Sequence, residues 1–378
     1  MTTSSERFIP IAAPIIGDRE VAYVTDALRS GWVSSIGPYI DRFEGDFARY
    51  IGVKHAIAVT NGTVALHLAL HAMGVGPGDE VIVPDLTFAA TAHTVLQTGA
   101  VPVLADVSPE TWCLDPSAVE RALTTRTKAI VPVHLFGHPA DVPALSRLAA
   151  SRGVRVLEDA AEAHGAWIRG VKVGALGDVG AFSFYGNKLM TTGEGGMLTT
   201  NDDALARRCR FLKDHGMSPE RRYFHTELAF NYRMTNLQAA LGVAQLEQLE
   251  GFIEKKRQIM ASYRAALAGV PGVTLNPEAE GVRNVYWMVS VVLGDEIRLT
   301  RDEVCARLKA RGIDTRPFFA PMSALPHLAR SRRAGASSET CPVSARLAAR
   351  GLNLPSGCGL SSEDVARAAD ALIGVLSS

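Results

Sequence analysis

Cysteine is sparse in this chain. The five present, Cys113, Cys209, Cys305, Cys341 and Cys358, are scattered, odd in number and without Cys-x-x-Cys spacing. That pattern argues against both a disulfide framework and a zinc site, so the thiols read as buried or incidental and no metal is expected. Net charge is missing too, since 39 Lys plus Arg balance 39 Asp plus Glu. Without a global field, neither nucleic acid nor an anionic membrane surface is an expected partner, and an anionic ligand requires a local site. No apolar run is long enough to cross a bilayer, and Met1–Arg7 lacks a basic start followed by an apolar signal core, so a cytoplasmic location is expected.

Apolar residues, by contrast, are plentiful. They make up 47% of 378 residues, enough to build a large core and to divide the chain into a large domain over 1–250, with an N-terminal arm, and a small one over 251–378. Short apolar strands alternate with helices through the first half, the pattern of an α/β sheet covered on both faces and mostly parallel. Seven strands are expected: 55–60, 80–83, 101–106, 129–134, 155–157, 181–184 and 197–200. Asp115-Pro116 supplies an N-cap and a first-turn proline for the helix that follows. A long helical stretch over 236–267, with Gly251 and the Gly269–Gly272 segment as weak breaks, leads out of the first domain. Beyond it the sequence predicts a strand over 284–293, a capping box at Thr300-Arg301-Asp302-Glu303, a solvated loop over 330–340, with a nucleotide phosphate contact as its alternative, and a last helix after Ser361, together a small α+β domain.

The chemistry concentrates around Ala181-Phe182-Ser183-Phe184-Tyr185-Gly186-Asn187-Lys188, which follows the acidic turn Glu158-Asp159-Ala160-Ala161-Glu162 and precedes Thr192-Gly193-Glu194-Gly195-Gly196. Pyridoxal phosphate asks a protein for an amine, a carboxylate at its pyridine nitrogen, donors for its phosphate and an apolar face for its ring. Lys188 sits in a Gly- and Asn-containing loop after an apolar strand, where a partly desolvated amine forms a Schiff base and afterwards shuttles a proton. Asp159 falls at a strand end, where the ligand crevice of an open α/β sheet lies. Ser183 offers a hydroxyl to a phosphate, and Thr60-Asn61-Gly62-Thr63 opens a helix whose first N–H groups, on Gly62 and Thr63, face an anion. Phe88 can stack on the ring. The polar residues of Asn231-Tyr232-Arg233-Met234-Thr235-Asn236 can reach a phosphate in the same or a neighbouring subunit, and Arg221-Arg222-Tyr223 a diphosphate. Singly, each has a plainer reading: a solvated lysine, a strand-end cap, a turn, a core phenylalanine, a basic surface loop. The combination outweighs them.

These motifs, with Gly31-Trp32-Val33-Ser34-Ser35-Ile36-Gly37-Pro38-Tyr39 and Asn353-Leu354-Pro355, resemble the sugar aminotransferases of the DegT/DnrJ/StrS group along almost the whole chain. The resemblance implies the aspartate aminotransferase fold, with Lys188 carrying pyridoxal phosphate, Asp159 at the ring nitrogen, and Ser183, Gly62 and Thr63 at the phosphate. Phe88 matches the stacking position, and Glu162 a position beside the cofactor that members fill with Glu, Gln or His. It also implies a homodimer with active sites at the interface, Asn231 matching a phosphate contact supplied by the partner subunit. The expected reaction carries the amino group of L-glutamate, through pyridoxamine phosphate, to C4 of a nucleotide-linked 4-keto-6-deoxyhexose. The wording of the motifs favours the perosamine-type branch, whose acceptor is GDP-4-keto-6-deoxymannose. In Arg316-Pro317-Phe318-Phe319-Ala320-Pro321, Ala320 replaces the His usual in that branch, which leaves open another nucleotide, a 3-keto sugar or a keto-cyclitol. A sugar dehydratase on the same fold would carry His in place of Lys188, and a non-catalytic regulator would not need the intact Lys188, Asp159 and Ser183 set.

Overall fold

A computed structural model describes residues 7–328, 331–333 and 341–377. Its strands are β1 His55–Val59, β2 Glu80–Pro84, β3 Val101–Ala105, β4 Thr127–Ile130, β5 Arg155–Asp159, β6 Trp167–Ile168, β7 Val171–Lys172, β8 Val179–Ser183, β9 Gly196–Thr200, β10 Val273–Leu275, β11 Val282–Arg283, β12 Val289–Leu293, β13 Arg316–Pro317, β14 Arg332–Arg333 and β15 Gly351–Leu354. The main sheet runs in the order β1-β9-β8-β5-β4-β2-β3-β14. From β8 to β14 every pairing is parallel, whereas β9 is antiparallel to both its neighbours. The seven expected strands are all present. An eighth is added by the two-residue β14, which comes from the stretch read as a solvated loop; the rest of 330–340, apart from residue 331, lies outside the described residues.

Val- and Ile-rich strands buried on both faces need helices on both sides. One apolar layer packs Leu66, Leu68 and Leu70 of the helix Gly62–Ala72 against Val81, Val83 and Leu157. On the opposite face Phe43 and Phe47, one turn apart on the helix Pro38–Ile51, meet Phe182 and Phe184 with ring centroids 5.0–5.5 Å apart. Asp115 caps the helix Pro116–Ala122 by accepting from the Ser117 N–H, as its Asp-Pro signature predicts.

The C-terminal part builds a second sheet, β10-β12-β15-β13, antiparallel throughout. Thr300 and Glu303 form the expected capping box at the helix Arg301–Ala310, and Ser361 with Asp364 another at Ser362–Leu376. Two elements differ from expectation. The long helix is two, Asn236–Leu246 and Leu249–Ala266, broken at Glu247 and Gln248 rather than at Gly251, which lies inside the second. Nor does the strand expected from Asn284 begin before Val289: the stretch before it turns, with Tyr286 in the left-handed region at φ 48° and its N–H donated to Asn284 Oδ1 at 2.7 Å. Among the described residues no helix is long and apolar enough to cross a membrane, and no cluster of three or more metal-ligating side chains occurs.

Candidate active site

The C-terminal ends of the parallel strands, where an open α/β sheet leaves its crevice, open into a cleft of about 860 Å³. Lys188, Asp159, Glu162, Ser183, Gly62, Thr63 and Phe88 all line it. Each arrives by a different connection.

Ser183 ends β8, and the chain beyond it folds back on itself. The Phe184 N–H donates to Gly195 O at 2.8 Å, the Thr192 N–H to Phe184 O at 2.9 Å, and the Lys188 N–H to Tyr185 O at 2.9 Å. Gly193, at φ 81°, takes the turn that lets this loop close. Lys188 is thereby held with its side chain 13% exposed toward the cleft. Its Nζ stands 3.8 Å from Glu162 Oε1 and 4.1 Å from the centroid of the Trp287 ring. Burial pulls the ammonium below the usual lysine range, opposed by the charges of Glu162 and Asp159.

Asp159, the last residue of β5, is buried. Its Oδ2 accepts from Thr91 Oγ1 at 2.8 Å and its Oδ1 from the Ala161 N–H at 3.2 Å. Burial pushes the carboxyl up, while these donors and Lys188 pull it down. Such a carboxylate is short of a cation and suits a protonated ring nitrogen. Glu158 beside it plays another part: it accepts from the N–H groups of Gly174, Leu176 and Gly177 at 2.7–2.8 Å and pairs with His134 Nε2 at 3.0 Å, which fixes the turn after β7. Glu162 Oε2 accepts from the Phe136 N–H at 2.8 Å, and burial, partly offset by Lys188, pushes its carboxyl up to about 7.

The helix Gly62–Ala72 starts against β8. Asn61 caps it, Oδ1 accepting from the Val64 N–H at 2.9 Å. This leaves the N–H groups of Gly62 and Thr63, for which a helix supplies no acceptor, toward the cleft beside Ser183. A Cβ on Gly62 would come 2.6 Å from Ser183 Cβ, and one on Gly196 2.5 Å from Asn61 O, so both positions must be glycine for cup and strand to touch. Phe88 is 59% exposed within the cleft and meets Phe319 edge-on at 5.8 Å. Amine, carboxylate, anion cup and exposed aromatic face thus share one cavity, and the set fits pyridoxal phosphate.

Asn231 is the exception. It does not line this subunit's cleft; its side chain is exposed and accepts from Arg233 Nε at 3.0 Å. Nor do Arg221 and Arg222 reach the cleft: each lies over a neighbouring ring, Phe224 at 4.7 Å and Tyr223 at 4.9 Å. Several site residues escaped sequence reasoning, notably Trp287 and Arg316, which line the cleft, and Thr91, which bonds to Asp159 from behind it. Arg316 and Asn353 face each other across β13 and β15, and both line the cleft. Their motifs were visible, but the partners they meet are far away in the chain.

The profile of the DegT/DnrJ/EryC1/StrS aminotransferase family matches residues 14–373. The GDP-perosamine synthase of Caulobacter vibrioides is 48% identical over 372 residues, covering 97% of this chain and 98% of that protein. That of Vibrio cholerae is 44% identical over 94% of this chain and 96% of its own length. Among solved structures, the aminotransferase TlmJ from Streptoalloteichus hindustanus superposes with a TM-score of 0.91 at 33% identity, covering 98% of this chain and 99% of that one. A putative sugar aminotransferase of Streptococcus pneumoniae in its PLP form gives 0.91 at 26% identity, covering 98% of this chain and 99% of that one.

Proposed function

Because the chain belongs to the DegT/DnrJ/EryC1/StrS aminotransferase family, we propose that it moves the amino group of L-glutamate to C4 of a GDP-linked 4-keto-6-deoxyhexose, GDP-4-keto-6-deoxymannose, giving GDP-perosamine and 2-oxoglutarate. The observation that carries the chemistry is the convergence of Lys188, Asp159, Ser183 and the Gly62–Thr63 helix start on one cleft. The acceptor is supported by the relatives named GDP-perosamine synthase, whose similarity extends over nearly all of the chain.

When bound, pyridoxal phosphate supplies the aldehyde that carries the amino group and the ring that accepts electrons. The protein's part is positioning and proton handling. Gly62 and Thr63 N–H groups with Ser183 Oγ would hold the phosphate, Asp159 would keep a proton on the ring nitrogen, and Phe88 would cover the ring. Lys188 would hold the group covalently through Nζ, and its free amine would be the base and acid that moves a proton to and from the substrate carbon. The same lysine serves both directions, because loading nitrogen from glutamate and unloading it onto the ketone reverse one another. Arg316, for which no ion pair occurs among the described residues, offers the cleft a cation for an anionic part of either substrate. We further propose that the enzyme works as a homodimer, Asn231 of one subunit reaching the phosphate held in the other.

Mass spectrometry on the cofactor-loaded protein with L-glutamate and GDP-4-keto-6-deoxymannose, beside dTDP- and UDP-linked 4-keto sugars, tests the assignment. Amination of the GDP ketone alone is expected. Amination of another nucleotide sugar instead would keep the chemistry and overturn the substrate, while amination of none would overturn both.

A further inference from the structure

Trp287 is one of four tryptophans in the chain, and its placement is unusually constrained. Its indole Nε1 donates to Asn187 O, next to Lys188, at 2.8 Å. Its own carbonyl accepts from Lys256 Nζ at 2.8 Å, a lysine buried on the helix Leu249–Ala266 and also bonded to Ser356 O. The ring stacks on Phe136 at 6.4 Å with an interplanar angle of 20°. The preceding residue, Tyr286, holds the left-handed backbone already noted, and Phe136 another at φ 52°. Strained residues persist where their surroundings over-determine them, and here both strained turns serve one point. Tyr286 delivers the indole face to 4.1 Å from Lys188 Nζ, and the Phe136 N–H fixes the Glu162 carboxylate 3.8 Å from the same atom.

We propose that Trp287 is a positioning residue which, with Glu162, cages the Lys188 ammonium whenever the lysine is not joined to the cofactor. The inference rests on the reading of Lys188 given above and adds to it a home for the released side chain. An ammonium in a desolvated site requires compensation. A carboxylate on one side and a π-face on the other supply it. The charged and titratable groups facing Lys188 are Glu162 and Asp159 around the turn after β5, His164 beyond them, Arg316 from β13, and Lys256 across the small cavity behind the loop. Two of these five, Arg316 and Lys256, carry positive charge, while burial keeps His164 neutral, so the indole face is a stabilising contact set against nearby cations.

The test uses the full-length, cofactor-free protein and the rate at which acetic anhydride labels Lys188, followed by peptide mass spectrometry from pH 6 to 10. Only the neutral amine reacts. Removing the π-face destabilises the ammonium, so at fixed neutral pH labelling of Lys188 in Trp287→Leu is expected to rise by roughly three- to tenfold, with its pH midpoint moved down. Trp287→Phe, which keeps an aromatic face and most of the volume, is expected to fall between, with a cooperative thermal transition. Unchanged or slower labelling in Trp287→Leu overturns the proposal, and if that variant fails to fold, unchanged labelling in Trp287→Phe does the same. A parallel arm with added pyridoxal phosphate separates the two readings. Failure of the cofactor to protect Lys188 in the unsubstituted protein sinks the cofactor assignment, whereas protection without any effect of Trp287 sinks only the cage.

Discussion

Truncating Lys188 to alanine deletes anchor and proton carrier together. Lys188→Ala is expected to lose turnover by roughly a thousandfold or more, the scale of removing a positioned acid–base group, and to lose the visible absorbance of the loaded enzyme. A variant that keeps both refutes the assignment of this lysine. A different kind of buried group controls acid stability. His138 donates from Nδ1 to Pro139 O at 2.8 Å and accepts at Nε2 from the Ala279 N–H at 3.3 Å, and burial lowers its pKa to about 4. His164, packed between Phe182 and Phe184, is lowered by burial to about 3. With folded pKa values below the unfolded value near 6.5, the stability each contributes is present above pH 6.5 and lost as pH falls toward 4, because only the unfolded chain takes up the proton. Between pH 7 and 5 each is expected to cost about 2 kcal/mol. Urea unfolding of His138→Asn at both pH values should show a smaller loss than the parent, and an identical loss would refute the linkage. The residues that declare their chemistry by type and local motif, Lys188, Asp159 and Ser183, were legible in the sequence. Thr91, Phe136 and Trp287 were not, because each acts on a group far from it in the chain, through a hydroxyl, a backbone N–H or a ring that could equally serve the core.

At the level of elements, the proposed phosphate cup depends on how closely a helix start approaches a strand end. Gly62→Ala improves helix propensity slightly but places a methyl 2.6 Å from Ser183 Cβ. The clash wins: overpacking of this kind costs about 1–3 kcal/mol, read as a lower thermal midpoint of the cofactor-free protein. Because helix and strand must move apart, weaker binding of pyridoxal phosphate is expected with it, and unchanged affinity would show that the cup lies elsewhere. Strands and helix starts were readable here because their signals are local: Val-rich runs between turn residues, Asn61 before Gly62, Asp115 before Pro116. The break at Glu247 and Gln248 was not. The sequence carries no glycine or proline there, and the chain turns because Gln245 and Gln248 both donate to Glu20 Oε1 on the N-terminal helix, at 2.7 and 2.6 Å. β14 escaped for a like reason, since two arginines become a strand only beside β3.

For the whole molecule, the position of Asn231 argues that one chain is not a complete site. Asn231 is absent from the lining of its own cleft although the next residue, Tyr232, lines it, while Trp32, Val33 and Ile36 in the N-terminal region are exposed at 51%, 42% and 65%, apolar surface of the kind an interface covers. A twofold dimer would let each subunit present its Asn231 to the other's phosphate. Placing a negative charge there, as in Asn231→Asp, repels the phosphate, so that variant and Lys188→Ala should each be nearly inactive alone. Their defects nevertheless lie in different subunits of the same site. When the two variants are unfolded together and refolded, or coexpressed, half the dimers are mixed, and in each mixed dimer one site combines an intact Lys188 with the partner's intact Asn231. Activity should then return to about a quarter of the parent value, the limit set by random pairing of two subunits. If the mixture stays as inactive as its components while sedimentation shows that mixed dimers have formed, Asn231 belongs to its own subunit's site and the shared-site reading fails.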